Sequence, residues 1–100
     1  MEKIVEQRLP EIKRLMQQYG VEKAYLFGSA AAGTMHADSD IDFIIRFPSD
    51  MHYTTYADNY FALVDALEAL LQKKVELVTE KTLKNPYLLE SINKYKLQLL

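Results

Sequence analysis

The chain has 100 residues, 12 Lys and Arg against 14 Asp and Glu, and a formal net charge of −2. With 49% hydrophobic residues this is one globular domain over 1–100, and the near-balanced, slightly acidic charge argues against a nucleic-acid partner, which calls for a basic face. Cysteine is absent, which excludes disulfides and thiolate zinc sites, and the lack of a leader or long apolar run argues against a membrane partner and makes the cytoplasm the expected location.

Taken in chain order, Ile4, Val5, Leu9, Ile12, Leu15, Met16 and Tyr19 recur at helical spacing. They predict an amphipathic helix closed by Gly20, with Pro10 marking its start or a kink. Residues 21–27 combine Val, Ala, Tyr, Leu and Phe and read as a strand ending at Gly28. Gly28 permits a sharp turn and close approach of a ligand. Ser29 is a good helix N-cap, and Ala30, Ala31 and Ala32 form a short helical stub ended by Gly33. A helix N-terminus offers free N–H groups to an anion.

Residues 40–47 are rich in β-branched and aromatic side chains and stop at Pro48, which predicts a second strand. Its alternation puts Asp40 and Asp42 on one face, their α-carbons about 6.5–7 Å apart. Two carboxylates that close stay ionised only when a cation compensates them. Hard oxygen ligands on a strand suit Mg²⁺, and a pair of such ions about 3.5–4 Å apart can hold the attacking and leaving oxygens of a phosphoryl displacement. A calcium loop built on Asp38, Asp40 and Asp42 fails, because Phe43 and Ser49 stand where that loop needs Gly and Glu. Asp38 and Ser39 are expected to hydrogen-bond the turn before the strand.

Residues 48–54 form a loop, and a second long helix is expected over 55–72 with Tyr60, Phe61, Val64, Leu67, Leu70 and Leu71 on its core face. A third strand covers 73–79. Asn85 and Pro86 then supply an N-cap and a first-turn proline for a last helix reaching about 99. His36 and His52 are expected as exposed loop residues. Tyr53, Tyr56, Tyr60, Tyr87 and Tyr95 are expected mostly as half-buried packing, with a partner surface as the alternative. Lys81 and Lys84 are read as a solvated basic surface that also offers positive charge near the third strand. Three strands leave one face uncovered, so helices should pack on the other and leave a shallow acidic site.

The wording Gly28-Ser29 followed by Asp40-Ile41-Asp42 resembles the signature of the DNA polymerase β-type nucleotidyltransferase superfamily, and the short chain resembles its minimal nucleotidyltransferase (MNT) members. The resemblance implies a small α/β (α+β) nucleotidyltransferase fold, a short mixed sheet flanked by helices. It implies that Gly28 and Ser29 contact the β- and γ-phosphates of ATP, that Asp40 and Asp42 ligate catalytic Mg²⁺, and that Glu76 is the third carboxylate, beside the acceptor hydroxyl, as a ligand of one of the two Mg²⁺ ions and a candidate base. It further implies an all-helical HEPN-type toxin as partner, with AMP transferred to one of its tyrosines, so that the chain acts as an antitoxin. A homo-oligomer is also open.

Two departures temper this. Ala30, Ala31 and Ala32 occupy a segment where the family often carries Arg or Lys, and Glu76 replaces the usual Asp. They motivate two alternatives: a catalytically weak module that neutralises its partner by occlusion, and a nucleotidyltransferase acting on a small molecule. The lack of a second domain to enclose a small substrate counts against the latter.

Overall fold

A computed structural model describes residues 2–28, 40–83 and 85–100, without the side chains of Lys81, Leu88, Ser91, Ile92 and Tyr95. The predicted first helix is two: α1 (Lys3–Gln7) and α2 (Leu9–Gln18). Pro10 lacks an N–H and its ring opposes the carbonyl four residues back, so the helix breaks at Arg8 and restarts with the Ile12 amide donating to Arg8 O. The C-terminus of α2 closes as a Schellman turn. Gly20 has φ +82°, its amide donates to Gln17 O, and the Val21 amide donates to Met16 O.

Strand β1 (Lys23–Phe27) pairs antiparallel with β2 (Ile41–Arg46). The long helix α3 (Tyr53–Leu71) follows. Its N-cap is His52, whose ring accepts from the Thr54 amide and is exposed as expected. The buried stripe of α3 is Leu63, Leu67 and Leu71, and Phe61, assigned above to the core face, is instead 66% exposed. Leu63, Leu67 and Leu71 satisfy the four-residue spacing without Phe61. Beyond an αL turn at Gln72, β3 (Val75–Thr79) runs parallel to β2, and Glu68 accepts from the Val75 amide to fix the entry.

A 3₁₀ turn (Glu80–Thr82) leads to α4 (Pro86–Tyr95), whose first turn is capped by Asn85 Oδ1 as the sequence predicts. The helix does not reach 99. It gives way to a short fourth strand, β4 (Leu97–Gln98), antiparallel to β1. The sheet order is β3-β2-β1-β4, a mixed sheet of four strands rather than three.

One face of the sheet carries Ala24, Leu26, Ile41, Phe43, Ile45, Val75 and Leu77, buried against Val5, Ile12 and Met16 of α1 and α2 and Leu63, Leu67 and Leu71 of α3. The opposite face carries Tyr25, Phe27, Asp42 and Ile44, where Leu83 joins Tyr25, Ile44 and Phe27 in a small second cluster. The C-terminal helix lies over part of this second face, where Leu89 and Asn93 share a cleft with Tyr25 and Ile44. At the edge of this face Glu76 is exposed.

Candidate functional site

Strand alternation decides the site. Ile41, Phe43 and Ile45 face the core, so Asp42 faces the open side, with Asp40 in phase just before the strand. The ladder then sets Asp42 between Phe27 of β1 and Glu76 of β3. Asp40 and Asp42 are half-buried, and Glu76 is exposed on the edge strand. Three acids from two adjacent strands therefore converge on one end of one face.

Their proximity is visible in the chemistry of Asp42. Its carboxyl is pushed up from 3.8 to about 6 by burial first, then by the charge of Glu76, a hydrogen bond shared with Glu76, and the charge of Asp40. Protonation and cation binding are the two ways to relieve such crowding. Among the described residues no group of three or more His, Cys, Asp or Glu is placed to hold a metal ion, so an ion here would draw on fewer protein carboxylates. An incomplete carboxylate set suits Mg²⁺, which usually takes one or two carboxylates and completes its shell with substrate phosphates and water. The donor chemistry thus fits that ion.

The end of β1 abuts this cluster at Gly28. Gly28 has φ +71°, and a Cβ placed there would stand 2.8 Å from Asp42 Oδ2. Gly28 and the acidic strand are therefore in contact. Ser29, Ala30, Ala31, Ala32, Gly33, His36, Asp38 and Ser39 lie outside the described residues, as do Lys84 and the side chain of Lys81.

On the β3 side, an open depression of about 400 Å³ is lined by Asp40, Glu76, Lys74, Tyr60, Phe61 and Leu77, among others. The Tyr60 hydroxyl donates to Leu77 O, and its ionisation is pushed up by burial, then by Tyr56 and Glu76. Tyr56 and Tyr60 are half-buried as expected, whereas Tyr53 and Tyr87 are 77% and 83% exposed. Sequence reasoning passed over Lys96, whose ammonium lies 4.0 Å from the Tyr25 ring centroid on the same face as Asp42. Its only signal was a basic residue at the junction of helix and terminal strand.

Comparison with known proteins decides the family. A model of the nucleotidyltransferase domain matches residues 9–99. The chain belongs to the nucleotidyltransferase family. A relative from Methanocaldococcus jannaschii, assigned as a protein adenylyltransferase, is 39% identical over 80 residues, covering 80% of this chain and 78% of its own. The protein adenylyltransferase MntA of Thermococcus cleftensis is 33% identical over 73 residues, covering 73% of this nucleotidyltransferase and 70% of its own length.

Among solved structures, one assigned as a minimal nucleotidyltransferase superposes with a TM-score of 0.77 at 28% identity, covering 97% of this chain and 95% of that one. The mixed sheet with flanking helices is thus the minimal nucleotidyltransferase fold. An MNT antitoxin solved in complex with a tri-AMPylated HEPN toxin of Shewanella oneidensis has the same fold, with a TM-score of 0.66 at 20% identity over 95% of this chain and 71% of that one. No helix among the described residues is long and apolar enough to cross a membrane.

Proposed function

We propose that this nucleotidyltransferase is a Mg²⁺-dependent protein adenylyltransferase that transfers AMP from ATP to a tyrosine hydroxyl of a HEPN-type toxin and so serves as its antitoxin in the cytoplasm. The observation that carries the reading is the contact of the Gly28 bend with Asp42, in register with Glu76. Support for the acceptor comes from MntA of Thermococcus cleftensis, a protein adenylyltransferase, and from the MNT antitoxin bound to an AMPylated HEPN toxin.

In this reading Gly28 and Ser29 contact the β- and γ-phosphates of ATP. Asp40 and Asp42 are the residues that hold Mg²⁺, joined by Glu76. When bound, the metal withdraws charge from the phosphoryl oxygens and lowers the pKa of the acceptor hydroxyl. Glu76, at the exposed edge, stands on the acceptor side and receives the hydroxyl proton. The acceptor oxygen then forms its bond to the α-phosphorus, the bond from the α-phosphorus to the bridging oxygen breaks, and pyrophosphate leaves.

The openness of this end of the sheet suits a macromolecular acceptor, whose own surface closes the site. One observation favours the occlusion alternative: Tyr53 and Phe61 on α3 and Tyr87 on α4 are large apolar groups left exposed, as a binding surface requires. Incubating the chain with labelled ATP, Mg²⁺ and its HEPN-type partner separates the two. Gain of one or more AMP groups on a partner tyrosine supports transfer. Tight association with no such gain supports occlusion.

A further inference from the structure

We propose that Lys96 is the cation that meets the triphosphate, an inference that rests on the nucleotide site proposed above. The need for one is plain in the charge pattern. The site gathers Asp40, Asp42 and Glu76, a nucleoside triphosphate adds a polyanion, and the sequence from Ala24 to Ile45 contains no Lys or Arg, while Lys74 lines the depression on the β3 side with Asp40 and Glu76, away from the Gly28 end. A divalent ion shared with the carboxylates leaves much of the triphosphate charge unmatched.

The topology supplies the missing charge from the C-terminus. Strand β4 pairs Gln98 with Tyr25 and Leu97 with Leu26. One step further along that antiparallel register sets Lys96 across from Phe27, and Phe27 is the partner of Asp42. Lys96 therefore stands beside the Gly28 bend, two strands from Asp42, or about 10 Å between α-carbons. Its ammonium lies 4.0 Å from the Tyr25 ring centroid, which keeps it on the open face.

Tyr25 and Phe27 share that face one pleat repeat apart, about 6.5–7 Å, and Gly28 is one residue further, about 10 Å from Tyr25. Lys96 lies across from Phe27, between the Tyr25 ring and Gly28, so its flexible four-carbon stem swings from one towards the other by rotamer change. An ammonium-to-phosphate contact is charge-assisted and outweighs a half-exposed cation–π contact, so the ring is a resting place from which the ammonium moves to the incoming phosphates.

The test titrates Mg²⁺-ATP calorimetrically into the parent, Lys96→Gln and Lys96→Arg, and measures KM and kcat for AMP transfer by each. Lys96→Gln keeps a long polar side chain at a half-buried position, and far-UV circular dichroism verifies its fold. The expected result is Mg²⁺-ATP affinity weakened about tenfold or more in Lys96→Gln, with a matching rise in KM and little change in kcat. Lys96→Arg, which retains the charge, recovers most of the affinity. Undiminished Mg²⁺-ATP affinity in Lys96→Gln, or equal loss in Lys96→Arg, overturns the assignment of Lys96 while leaving the proposed nucleotide site standing. A parent chain that binds no Mg²⁺-ATP overturns both.

Discussion

Gly28 and Asp42 touch across the first two strands: the position of a Cβ on Gly28 lies 2.8 Å from Asp42 Oδ2, and the backbone there has φ +71°. Glycine is required twice over, once by conformation and once by space. The bend proposed to receive phosphate and the strand proposed to hold the metal therefore meet at Gly28 and Asp42.

Gly28→Ala is accordingly expected to lose about 1–3 kcal/mol of stability from the strained backbone and the displaced carboxylate. Because a shift near 1 Å suffices to cost on the order of a hundredfold in rate, AMP transfer should fall at least that far. Urea unfolding and a transfer assay on the same preparation check both numbers.

The raised carboxyl of Asp42 makes a pH prediction with a definite sign. Its pKa is about 6 when folded against 3.8 when free, so between those values the folded chain holds a proton that the unfolded chain has released. This group's contribution is fully present below the lower value and is lost as pH rises through the upper one. Without metal, the melting temperature should therefore carry a downward component from about pH 4 to pH 6–7. Asp42→Asn should remove that component and raise the neutral-pH melting point. Solvent screening at this half-exposed site reduces the gain to about 1 kcal/mol, or roughly 4–8 °C for a chain of this size. Thermal melts of parent and variant across this range decide the matter.

Tyr60 donates to Leu77 O from α3 to the edge strand. Tyr60→Phe should cost about 1 kcal/mol in urea unfolding, the ordinary net value of such a bond. It should leave AMP transfer close to parental, since the hydroxyl is committed to the backbone and not to the reacting groups.

Much of this site was legible in the sequence because it is local. Gly28, Asp40 and Asp42 fall within 15 residues, and period-two alternation fixes the shared face without tertiary knowledge. Glu76 was reachable only through family resemblance, since its pairing with Asp42 depends on β2 and β3 running parallel through the α3 crossover. The fourth strand was missed for a physical reason. Leu97, Leu99 and Leu100 continue an apolar run after α4, and nothing local distinguishes a longer helix from a two-residue strand supported by β1. Losing β4 also lost Lys96. Phe61 was misassigned because several apolar residues crowd α3, and only packing against the sheet selects Leu63 over it.

The most direct test of the account is calorimetric titration of Mg²⁺-ATP into the parent and into Asp42→Asn. Saturable binding by the parent that depends on Mg²⁺, and its loss in the variant despite a melting point as high or higher, is the predicted result. Binding of equal strength in both would contradict the claim that Asp42, the Gly28 bend and Glu76 form one metal-nucleotide site.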